Sequence, residues 1–117
     1  MGQPVVHFEV QGSDREALTR FYGEAFGWKT TDVSDMNYTM VETEGEGGIN
    51  GGIGPVPDGA PGGVVFYVHS DDVAGSLARI EELGGRKVAG PMDMPGGRTW
   101  ALFADPEGHV AGLYGTG

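Results

Sequence analysis

A chain of 117 residues is one domain long and buries roughly two-thirds of its unfolded surface, enough for an ordinary core. Its net charge of −10, with only 7 lysines and arginines, excludes a phosphate-tracking surface, so no nucleic-acid partner is expected. The absence of cysteine removes disulfides, thiolate metal sites and cysteine nucleophiles; no apolar run approaches membrane-spanning length and Met1–Val10 lacks a signal-peptide layout, so no membrane is expected and the cytoplasm is the expected compartment.

The first element is "VVHFEVQ", Val5 to Gln11. Alternation places Val6, Phe8 and Val10 on one face and His7, Glu9 and Gln11 on the other, which predicts a half-buried strand. "SDRE" then offers Ser13 as an N-cap with Glu16 three residues on, and Ala17, Leu18, Phe21, Tyr22, Ala25 and Phe26 recur on one helical face up to Gly27. Three extended segments follow, around Trp28 to Val33, Asn37 to Thr43 and Ile49 to Ile53. "GPVPDGAPGG", Gly54 to Gly63, reads as a linker.

After it the pattern restarts. Val64, Phe66 and Val68 repeat the row Val6, Phe8 and Val10 at a constant offset of about 58 residues, an internal repeat. A second helix is predicted from Asp71 or Asp72, with Val73, Leu77, Ile80 and Leu83 inward and Gly84-Gly85 as its stop. Extended segments near Arg86 to Ala89, Thr99 to Ala104 and His109 to Tyr114 complete the copy, with "GPMDMPGGR" as a loop between the first two. "DPEG" joins the last two as a turn, because Pro106 presets φ at its second position and Gly108 closes the fourth. Both helices are expected to pack on the Val6/Phe8/Val10 and Val64/Phe66/Val68 rows. The opposite faces, with His7, Glu9, Tyr67 and His69, are left to line a cavity.

The repeated unit, with "HFEV…FYGEAFGWK" opening one copy and "DPEGHVAGLY" closing the other, resembles the vicinal oxygen chelate superfamily, which includes glyoxalase I, bleomycin and fosfomycin resistance proteins and extradiol dioxygenases. The likeness runs from Pro4 to Tyr114. It implies an α+β fold of two βαβββ units, about 4–54 and 64–115 joined by the Gly/Pro-rich linker 54–63, forming a curved mixed sheet around a central cavity. It also implies a homodimer.

In metal-dependent members of that superfamily, four ligands come from the first and last strands of the two units, His or Gln on the former and Glu on the latter. Those positions fall here on His7, Val65, Gly52 and Gly112. One imidazole alone lacks the three or more protein ligands that catalytic zinc or iron sites use. No metal cofactor is therefore expected, and a divalent ion is admitted only if the site is rebuilt, for example from His7, Glu9 and His69. The glycines are also expected to open volume in the cavity for an organic molecule.

The resulting functional expectation is a small-organic-molecule binder with a degenerate metal site. Its candidate ligand-binding residues are His7, Glu9, Asn50, Tyr67, Trp100 and Tyr114. The alternative is a lyase, isomerase or dioxygenase-type enzyme, either with a rebuilt metal site or using His7 and Glu9 for metal-free acid/base chemistry. Each residue also has a plain reading. His7 and Glu9 share a face because any i, i+2 pair does, and Asn50 can merely satisfy local backbone. The aromatics can be core, and His69 and His109 read as rim residues.

Overall fold

The computed structural model describes residues 2–117. Their order is β1 (Val5–Gln11), α1 (Arg15–Phe26), β2 (Lys29–Val33), a 3₁₀ turn at Ser34–Met36, β3 (Tyr38–Glu42) and β4 (Gly51–Gly54). There follow β5 (Gly63–Ser70), α2 (Val73–Glu82), β6 (Arg86–Met94), β7 (Arg98–Ala104) and β8 (Val110–Gly115). The chain is thus α+β, and βαβββ occurs twice. Contacts divide it into two units: Val6–Pro57 with Pro61–Val65, and Asp58–Ala60 with Phe66–Gly117 and the N-terminal residues up to Val5.

In the first unit the strand order is β2-β3-β4-β1. β1 runs parallel to β4, with Glu9 beside Gly52 and Val10 beside Ile53, and β4 is antiparallel to β3, with Met40 beside Gly52. Alternation then sends Phe8, Val10, Val41 and Ile53 to the side covered by α1. Val10, Val41 and Ile53 are buried there, and Phe8, Leu18, Tyr22 and Trp28 pack against them. The Tyr22 and Trp28 rings stack at 5.5 Å. The N-cap of α1 is Asp14 rather than Ser13: its Oδ1 accepts the backbone N–H of Ala17 at 3.0 Å. A carboxylate is the better partner for the positive end of a helix, and the start moves one residue accordingly.

The second unit repeats the plan in the order β5-β8-β7-β6, with β5 parallel to β8 and Tyr67 beside Gly112. Asp72 caps α2 by accepting the N–H of Gly75 at 3.0 Å. Val73, Leu77, Ala101 and Leu113 form the buried cluster, joined by Val68, Ile80 and Phe103. The expected row only partly holds, because Val68 packs under the helix while Val64 and Phe66 are exposed (69% and 49%). The reason is that α2 lies over β6, β7 and β8, leaving the start of β5 uncovered. β6 also continues through "PMDM", paired to β7 across two register irregularities, so most of the expected loop is a hairpin arm. The "DPEG" turn closes by Gly108 N–H donating to Asp105 O at 2.9 Å, and Asp105 Oδ1 accepts from the N–H of Glu107 and of His109. Among the described residues no helix is long and apolar enough to cross a membrane.

Candidate functional site

The face of the first unit's strands turned away from α1 carries a hydrogen-bonded chain of polar side chains. His7, Glu9 and Gln11 project from β1 on the same side, and Tyr38 reaches them from β3. Tyr38 Oη lies 3.0 Å from His7 Nε2 and donates to Glu9 Oε1 at 3.0 Å. Gln11 Nε2 donates to Glu9 Oε2 at 2.8 Å. The carboxylate thus accepts from both neighbours, and a tyrosine hydroxyl links it to an imidazole. Burial lowers the pKa of His7 below its ordinary value, so the ring is held neutral. Gln11 is 5% exposed, and its Oε1 is a buried acceptor with no hydrogen-bond partner among the described residues.

Tyr38 also explains why β4 is written with glycine. Its ring lies flat on Gly52 and Gly54: a Cβ on Gly52 would overlap the Tyr38 hydroxyl and ring, and one on Gly54 would come within 2.7 Å of the ring. The second unit repeats the device, since a Cβ on Gly112 would overlap the ring of Tyr67, which is itself buried at 5% exposure. The expectation that these glycines open volume is therefore corrected: tyrosine rings take the space. Tyr67, Trp100 and Tyr114 share the face of the second unit's strands turned away from α2. Trp100 stands opposite Tyr114 across β7 and β8 and opposite Met92 across β6 and β7, and the Arg98 guanidinium sits 5.7 Å from the Tyr114 ring centre.

Asn50 falls outside β4, which begins at Gly51. Its Oδ1 accepts the N–H of Thr43 at 3.1 Å, so it staples the β3–β4 loop instead of joining the His7 chain. His109 pairs with Asp105 at 3.1 Å inside its turn, and His69 lies 3.6 Å from the exposed Asp71.

The sequence profile of the Glyoxalase/Bleomycin resistance protein/Dioxygenase superfamily matches residues 5–113. The chain belongs to this superfamily. The anthracycline biosynthesis protein DnrV of Streptomyces peucetius is 30% identical, over 94% of this chain and 46% of its own length. A putative glyoxylase, CFP32, of Mycobacterium bovis is 28% identical, over 91% of this chain and 43% of its own. The chain thus spans just under half the length of these relatives. A solved superfamily member from Vibrio splendidus superposes with a TM-score of 0.66 at 14% identity, covering 97% of this chain and 98% of that one, which shows a shared fold.

The metal centre of the superfamily is a poor fit to these residues. Of the four positions the resemblance assigns, only His7 offers a donor atom. Gly52 lies beneath Tyr38, Gly112 beneath Tyr67, and Val65 is a buried apolar residue. Among the described residues no group of three or more His, Asp or Glu side chains stands close enough to hold an ion. Tyr38 is the site residue that sequence reasoning missed. The signal lay in the two glycines spaced by two, Gly52 and Gly54, beside a strand that carries a tyrosine: an aromatic ring lying across a neighbouring strand's glycines is a recurrent sheet device.

Proposed function

We propose that the chain binds a small organic molecule on the polar face of the first unit without a resident metal. The observation that carries this reading is the Tyr38 ring on Gly52, which occupies a position given to a metal-binding carboxylate in the superfamily and turns His7 into a hydrogen-bonding group. His7, Tyr38 and Glu9 then offer a matched row of polar atoms to a ligand N–H or O–H. The second unit supports the same reading independently. Trp100 and Tyr114, with Met92 beside them, make a surface on which a flat apolar molecule stacks.

The test is titration calorimetry with a panel of planar organic molecules, in the presence of chelator. Anthracyclines, the class in DnrV's name, belong in the first set. Binding is expected to persist with chelator and to weaken up to roughly tenfold in Tyr38→Phe, the cost of lost hydrogen bonds. Failure of every molecule to bind overturns the reading, and so does a stoichiometric divalent ion retained on His7, Glu9 and Tyr38.

A second reading, a metal-free acid/base enzyme, is favoured by one specific observation: the neutral His7 is joined through a hydroxyl to a carboxylate, an arrangement suited to accepting a proton. The two readings separate on His7→Ala. An enzyme loses turnover while keeping its ligand, whereas a binder loses affinity and has no turnover to lose.

A further inference from the structure

On the face of the second unit's strands turned away from α2, side chains from all of its strands stand abreast. His69 on β5 is registered with Tyr114 on β8, Tyr114 with Trp100 on β7, and Trp100 with Met92 on β6. Neighbouring strands lie about 4.8 Å apart, so the stretch from Tyr114 to Met92 spans roughly 10 Å, room for two fused aromatic rings. Arg98 precedes Trp100 by two residues on β7 and so projects from the same face. Its guanidinium sits 5.7 Å from the centre of the Tyr114 ring. Carboxylates are plentiful in a chain with 17 acidic residues against 7 lysines and arginines, yet among the described residues none pairs with Arg98. Arg15 pairs with Asp32 and Arg79 with Glu82, and His69, the other basic group of the row, lies 3.6 Å from Asp71. A guanidinium seated on a ring keeps its N–H fork for a planar anion.

We propose that this face binds a two-ring aromatic carboxylate. The rings stack on Trp100, with Tyr114 and Met92 to either side, and the Arg98 fork donates paired N–H bonds to the carboxylate. The inference rests on the reading that the chain holds a planar organic molecule, and adds the acid group and the side chain that selects it. Because a chain of charge −10 repels anions at long range, a preference for an acid over its neutral amide must come from a local cation, and Arg98 is the one that the row leaves available.

Titration calorimetry with 2-naphthoate and its neutral counterpart 2-naphthamide tests this, with circular dichroism to confirm that each variant is folded. Wild type is expected to bind the acid about fivefold more tightly than the amide, the scale of one exposed ion pair. Arg98→Gln is expected to abolish the difference between the two probes, and Arg98→Lys to retain only part of it, because the charge stays while the fork is lost. Trp100→Leu should weaken both probes alike. Failure of 2-naphthoate to bind overturns the proposal. So does equal binding of the two probes by wild type, or a preference for the acid that survives Arg98→Gln. Binding of the amide without any preference for the acid strikes out the carboxylate alone and leaves the organic-molecule reading standing; that reading falls only when the whole panel of planar molecules fails to bind.

Discussion

The rings of Tyr38 and Tyr67 decide what residues 52 and 112 can be. An alanine at either position puts its Cβ inside a ring, and overpacking of this kind costs about 1–3 kcal/mol. The two sites are expected to differ. Tyr38 is half-buried, whereas Tyr67 is 5% exposed, so the Tyr67 ring has less room to yield. Gly112→Ala should therefore lower the urea midpoint more than Gly52→Ala, and the reverse order would show that Tyr67 is the freer ring. Gly52→Ala carries a different penalty, because a displaced Tyr38 breaks its hydrogen bonds to both His7 and Glu9. His7 itself gives a pH signature. Its folded pKa is lowered by burial, so above the ordinary histidine value of about 6.5 both folded and unfolded states are neutral and its contribution to stability is complete. As pH falls below that value the unfolded chain takes up the proton first, and stability is lost until the folded pKa is passed. The melting temperature of wild type should fall more steeply on acidification from neutrality than that of His7→Gln. Parallel curves would mean that His7 is not buried neutral.

At the scale of elements, both helices start on aspartate side chains that accept a backbone N–H three residues on. Asp14→Ala and Asp72→Ala are each expected to cost about 1 kcal/mol in urea unfolding, and Ser13→Ala close to nothing. A larger loss at Ser13 would return the cap to the residue the capping-box pattern selects. This one-residue shift shows where sequence stops informing: Ser13 and Asp14 are both good caps, and only the path of the chain leaving β1 chooses between them. Period-two alternation made β1 legible from end to end, and with it the shared face of His7 and Glu9. Alternation names faces but not what covers them. Val64 and Phe66 carry the pattern of a core row yet remain exposed, because the lie of α2 over β6–β8 is a tertiary fact. For the same reason Tyr38 was missed as a site residue: Gly52 and Gly54 signal an overlying ring, but which ring it is depends on the β3–β4 register, which pairs residues separated by a long loop. β6 outran its expected end because register irregularities let "GPMDM" stay paired despite its proline.

At the scale of the whole molecule, net charge becomes the controlling quantity. The chain carries −10, so in the compact state its exposed carboxylates repel one another over distances that the unfolded chain relaxes. Salt acts on this repulsion and on local ion pairs unequally. The Debye length shrinks from about 30 Å at 0.01 M to about 8 Å at 0.15 M. That change removes most of the repulsion between charges spread over the surface. Charges in direct contact, such as Arg15 on Asp32, are screened far less. With ten negative charges in excess, the long-range repulsion is expected to win. The melting temperature should accordingly rise over that range of salt and then level off. A melting temperature that falls steadily with salt would mean that ion pairs, rather than the acidity of the chain, govern its stability.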